Sequence, residues 1–229
     1  MDSANSETWC QLEAIDNKED DNDVRLLPAA KYGWQGLVET LPKQGVIANC
    51  PQRKGKRGHA GLTCAADHGH EGVVRLLVEY RGDLETRNQS TGLVRGLDKT
   101  SSSWAAGSGN VGVEQYLLEA GADPNGGEKD GRLTPLAVAA VRGYEDVVWV
   151  LLEKENIALD RKGTPDGRTV LSHSTEYGQQ DIIIRLLEKG ADSNSGDFVG
   201  RRPLFWAGKQ SHRATVGILL TWCERESTG

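Results

Sequence analysis

The side chains in this sequence best suited to proton transfer are two histidines with carboxylates nearby: Asp67-His68, and His173 followed by Glu176 and Tyr177. Imidazole titrates near neutral pH, a carboxylate can orient it, and a phenol can pass on a proton. Such a set suits acid–base chemistry on a small polyfunctional compound, an isomerisation or a cyclisation, with Arg142 to steady a developing anion. Cys64 and His68 stand at i and i+4, a spacing that puts both on one helix face and raises a thiolate nucleophile or a metal. Neither is expected. Zinc takes three or four ligands and only Asp67 or His70 lies near enough in sequence to join, while nothing marks an oxyanion site. The sequence has no Walker loop, no GxGxxG after a strand, no HExxH and no GxSxG, so no cofactor and no metal are expected.

The elements that would position these groups belong to a chain of 229 residues, 37% hydrophobic and 26% charged, the composition of a folded, water-soluble protein. No apolar run nears the ~20 residues of a membrane span, so no membrane partner is expected. The opening residues, MDSANSETWCQLEAIDNKEDD, lack the basic start and apolar core of a secretory signal. The expected compartment is the cytoplasm, with the nucleus as alternative. Cys10, Cys50, Cys64 and Cys223 lie far apart with no CxxC pair, which fits reduced thiols. The formal net charge is -6, and the basic cluster Arg53, Lys54, Lys56 and Arg57 reads as a solvated loop ahead of an import signal. Nucleic acid is therefore not an expected partner.

A repeat governs the rest. Residues 134 to 143 read TPLAVAAVRG, followed by YEDVVWVLLEKEN. Taking the glycine that closes this first segment as an anchor gives Gly33, Gly69, Gly109, Gly143 and Gly178, with Ser211 in the same place, at spacings of 36, 40, 34, 35 and 33 residues. A small-residue pair or its remnant precedes each anchor, from Ala29-Ala30 to Ser174-Thr175 and Ala207-Gly208. An apolar stretch at helical spacing follows it, such as Val73, Val74, Leu76 and Leu77. Gly121-Ala122-Asp123-Pro124-Asn125 and Gly190-Ala191-Asp192-Ser193-Asn194 are turn signals, and Thr134 and Thr169 are candidate helix caps. The pattern resembles the ankyrin repeat, TPLHxAAxxGHxxVVxLLLxxGADxN, over about residues 23 to 224.

The resemblance implies an all-α solenoid of about six helix-turn-helix units with short β-hairpin or loop fingers, forming one domain over 23–229. Residues 1–22 would be an acidic extension in which Trp9, Leu12 and Ile15 either form a capping helix or stay disordered. Three departures stand out. Ser101-Ser102-Ser103 replaces PLH in repeat three, which loses a core leucine; the 83–100 connection is long; and Glu155-Asn156-Ile157 replaces GAD, so that turn must be built differently. Function does not follow from the family, because its members share a scaffold and differ in what they bind.

In the family's inner helix three positions face a concave groove. Carried over, the first column reads Pro28, Cys64, Trp104, Val138, His173 and Trp206, and the second Lys31, Asp67, Gly107, Val141, Glu176 and Lys209. The third reads Tyr32, His68, Ser108, Arg142, Tyr177 and Gln210. Tyr32, Cys64, Trp104, Val138, Arg142, Tyr177 and Trp206 are the expected partner-binding residues; His68, Asp67, His173, Glu176 and Tyr177 are the catalytic candidates. The expected function is a binding module that holds a protein in this groove. The alternative is a cofactor-independent isomerase or cyclase that uses the groove as a pocket for a small organic molecule.

Overall fold

A residue can close a helix with positive φ at no steric cost only if it is glycine. Gly33, Gly69, Gly109, Gly143 and Gly178 all take φ between 68° and 75°, and Ser211 takes the same conformation at φ 60°. Each anchor thus ends one short helix and leads into a second that packs against it. The computed structural model describes residues 22–40, 61–85, 100–126, 133–164 and 166–228. The acidic extension, the basic cluster at 53–57 and residues 86–99 of the long connection lie outside them.

Among the described residues twelve helices form six pairs: α1 (Asn22–Tyr32) with α2 (Gln35–Thr40), α3 (Gly61–Asp67) with α4 (Glu71–Glu79), and α5 (Ser101–Ser108) with α6 (Val111–Glu119). The series continues with α7 (Pro135–Arg142) and α8 (Glu145–Leu152), α9 (Val170–Tyr177) and α10 (Gln180–Glu188), then α11 (Pro203–Lys209) and α12 (Arg213–Thr228). The odd-numbered helices pack on one another in chain order and so do the even-numbered ones, which makes a two-layered solenoid. No described segment is a strand; the described fingers are turns. No described helix is long and apolar enough to cross a membrane.

Close stacking of the inner helices requires small side chains, and the paired positions supply them: Ala29, Ala30, Ala65, Ala66, Ala105, Ala106, Ala139, Ala140, Ser174 and Thr175 are all fully buried. Side chains just past the anchors tie each repeat to the one before it. His70 Nε2 meets the Lys31 carbonyl at 2.8 Å, the Asn110 side-chain amide donates to the Ala66 carbonyl at 2.8 Å, and His212 Nε2 meets the Glu176 carbonyl at 2.9 Å. A Cβ on Gly33 would sit 2.6 Å from the His70 ring, so glycine there answers both to φ and to space. The fingers interlock likewise. Glu85 accepts the Asp123 amide at 3.0 Å, Asn125 accepts the Ala158 amide at 2.7 Å, and Asp160 accepts the Asp192 amide at 3.0 Å. The turn lacking GAD is indeed built differently, because Asn125 also donates to the Asn156 carbonyl at 2.6 Å.

Three threonines open inner helices. The hydroxyl oxygens of Thr100, Thr134 and Thr169 accept the amides of Ser103, Ala137 and Ser172 at 3.2–3.3 Å. Replacing Thr134 or Thr169 by alanine leaves a buried amide without its partner, with an expected loss of about 1 kcal/mol each. Urea unfolding of the single and double variants checks this; losses that sum to under about 0.5 kcal/mol would mean that stacking alone holds these helix starts.

The apolar core is split in two. One cluster runs from Leu26 through Leu62, Val74 and Leu77 to Ala105, Val113 and Leu117. The other begins with Ala106 and Leu118 and continues through Leu136, Leu151, Leu171 and Leu186 to Leu219. They meet in repeat three. Seven residues before each anchor stand Leu26, Leu62, Ser102, Leu136, Leu171 and Leu204; five residues after it stand Val38, Val74, Glu114, Val148, Ile183 and Val216. Both exceptions fall in the same repeat, and the Ser102 hydroxyl donates to Glu114 Oε1 at 2.7 Å. A hydrogen-bonded polar pair therefore occupies the place of an apolar one.

Candidate functional site

The face carried by the inner helices differs between its halves. At the first half, α1, α3 and α5 surround a pocket of about 440 Å³. Leu27, Pro28, Tyr32 and Trp104 give it apolar and aromatic walls, and Cys64 and Thr63 line it from α3. Lys31, Asp67 and His68 supply its charged and titratable groups. Tyr32 is stacked on Trp34 with ring centroids 5.3 Å apart, and the Lys31 ammonium lies 5.4 Å from the Tyr32 centroid.

The polar groups of this pocket are held by the fold itself. Asp67 accepts a 2.6 Å hydrogen bond from Ser108, which reaches over from the next repeat. His68 Nδ1 lies 3.0 Å from the Cys64 carbonyl and 3.9 Å from the Asp67 carboxylate. Burial, reinforced by the charge of Asp67, raises the Cys64 thiol above its ordinary pKa, which disfavours the thiolate. His70 is turned to the Lys31 carbonyl, its ring 6.1 Å from that of His68. Among the described residues no three histidine, cysteine or acidic side chains converge as metal ligands.

The second half is filled by its own side chains. Arg168, in the finger before α9, pairs with Asp166 at 2.6 Å and with Glu176, and its guanidinium lies 4.4 Å from the Trp206 ring centroid. Arg201 and Lys209 approach the same indole at 4.5 and 4.9 Å. Trp206 is left 4% exposed, and His173 on α9 is 5% exposed. Burial, and then the positive charge of Arg168, pushes His173 down to about 4, so it is a neutral imidazole at pH 7.

The structure thus brings Tyr32, Cys64, Asp67, His68 and Trp104 to one pocket and gathers His173, Glu176 and Trp206 around Arg168. It does not bring the two histidine sets together: α5 and α7 stand between α3 and α9. Val138 is buried, its space opened by Gly107, where a Cβ would come within 3.0 Å of it. Arg142 is exposed and donates to the Gly107 carbonyl, and Tyr177 is 54% exposed at the groove edge. Sequence reasoning missed Leu27 and Thr63 in the pocket, and above all Arg168. A basic residue immediately before the Thr169 cap was the one available signal for it.

A stack of helix pairs with a pocket on its inner helices and interlocked fingers defines a helical-repeat scaffold. No protein-family model matches the chain. It is 30% identical over 199 residues to the ankyrin repeat and KH domain-containing protein mask-1 of Caenorhabditis elegans, covering 86% of this chain but 7% of that one. It is 29% identical over 149 residues to an ankyrin repeat protein of fowlpox virus, covering 65% of this chain and 97% of the viral protein. The crystal structure of the human ASB11 ankyrin repeat domain superposes with a TM-score of 0.69 at 26% identity, covering 86% of this chain and 82% of that one. This chain is an ankyrin-repeat protein.

Proposed function

We infer that the chain is a protein-binding module whose partner lies along the first half of the groove and inserts an apolar side chain into the pocket between α1, α3 and α5. The observation that carries this reading is the pocket itself, where apolar and aromatic walls from α1 and α5 meet a rim bearing Lys31, Asp67 and His68. Buried aromatic anchors ringed by polar groups are the usual anatomy of an interface hot spot. Several groups that a catalytic reading would use are committed elsewhere: His173 is buried and neutral, Cys64 holds its proton, and Glu176 is paired with Arg168.

The volume also falls within the range of small-molecule sites, roughly 300–1,000 Å³, so a metabolite is the second reading. Trp104→Ala separates binding from folding, because this indole is only partly buried. It is expected to weaken partner binding by about 2 kcal/mol, roughly 30-fold, with little change in melting temperature. The experiment places a photo-crosslinking residue at position 32 and compares the protein adducts from cell extract with and without Trp104→Ala. Adducts that persist unchanged in the variant would place the interface elsewhere, and a small molecule co-purifying with the parent but not the variant would favour the second reading.

A further inference from the structure

Repeat three differs from its neighbours in a way that the binding reading does not use. We propose that it is a proton-gated hinge: while Glu114 is neutral, α5 and α6 hold the two halves of the solenoid as one stack, and when Glu114 ionises this pair opens and uncouples them.

The geometry has three parts. The two apolar clusters meet at this repeat, with Ala105, Val113 and Leu117 in one and Ala106 and Leu118 in the other, so no single apolar cluster runs through it. The junction is polar: Ser101, Ser102, Ser103 and Glu114 are each no more than 1% exposed. It is also incompletely satisfied, since Glu114 Oε1 takes the Ser102 hydroxyl while Glu114 Oε2 and the Ser101 hydroxyl have no partner among the described residues. A neutral carboxyl tolerates such a site, but a carboxylate does not, because no cation among the described residues pairs with it.

The charged groups on the surrounding elements do not change this. Glu71, Arg75 and Glu79 on α4, Glu119 on α6 itself, and Glu145 and Asp146 on α8 are all at the surface. Arg75 is tied to Glu71, Asp67 on α3 is bonded to Ser108, and Arg142 on α7 is bound to the Gly107 carbonyl. Burial accordingly raises Glu114 from 4.5 to about 8, with the Ser102 hydrogen bond pulling the other way. The closed repeat binds the proton more tightly than an opened one. The stability it gains from that proton is complete below the unfolded value of 4.5 and is lost as pH rises towards about 8. Trp104 is carried on α5, so opening would also move one wall of the pocket; that consequence rests on the binding reading, whereas the hinge does not.

Amide hydrogen exchange of the full chain at pH 6 and pH 8.5, corrected for the intrinsic change in rate, tests the hinge without any partner. Residues 101–119 are expected to lose protection by about tenfold or more relative to 170–188 as pH rises, and Glu114→Gln is expected to remove that difference. Should Glu114→Gln leave α5 and α6 unprotected at both pH values, Ser102→Leu with Glu114→Val carries the test and must protect them at both. Unchanged relative protection in the parent, an equal loss across all helix pairs, or the same pH dependence in these variants would overturn the proposal.

Discussion

Trp206→Ala is expected to destabilise the last helix pair by about 3–5 kcal/mol, the range for truncating a buried tryptophan. At 4% exposure the indole is interior packing, and it is also the surface on which Arg168, Arg201 and Lys209 rest. Removing it leaves three cations without the ring that they cover. In a solenoid this loss is not spread over the molecule, because each repeat contacts only its neighbours. The expected result is local: α11 and α12 exchange their amides much faster, α9 less so, and α3 and α4 hardly change. Trp206→Phe is the control. It keeps most of the packing and removes an indole N–H that is buried without a partner among the described residues, so it should cost far less. If Trp206→Ala instead melts with the parent, the second half of the groove is an open surface and the partner site extends into it.

That comparison shows what the sequence could and could not reveal. The anchors were legible because left-handed backbone at a helix end selects glycine, and all five predicted glycines have positive φ. The caps at Thr134 and Thr169 were legible because the chemistry is local. The depth of the groove was not. By pattern Trp104 and Trp206 hold equivalent positions, yet Trp104 is half-buried and Trp206 is covered. What separates them is Arg168, a finger residue that crosses to Trp206 on the next inner helix while paired to Glu176; no inner-helix column contains it. Burial of His173 follows from the same filling of the second half. The loss of a leucine at Ser102 was visible, but its compensation lies in the outer helix, where Glu114 interrupts an otherwise apolar column.

The double replacement of that polar pair carries the other large effect. Ser102→Leu alone is expected to cost about 2–4 kcal/mol: it strips Glu114 of its hydrogen-bond donor and presses a larger side chain against a buried carboxyl. Glu114→Val alone is expected to lie within about 1 kcal/mol of the parent, since it removes a buried carboxyl but orphans the Ser102 hydroxyl. Together they recreate the pair that repeats two, four and five use, Leu62 with Val74, Leu136 with Val148 and Leu171 with Ile183. The double variant should therefore exceed the parent by about 1–3 kcal/mol, as when buried polar groups give way to apolar residues that pack well. The coupling energy between the two sites would then be about 5 kcal/mol, readable from urea unfolding of the four proteins at pH 7. Effects that add to within about 0.5 kcal/mol would show that Ser102 and Glu114 do not act as a unit. The gain also has a direction in pH. Above about pH 8 the parent must keep an ionised Glu114 buried or open repeat three, and the double variant faces neither demand, so its advantage should widen between pH 6 and pH 8.5.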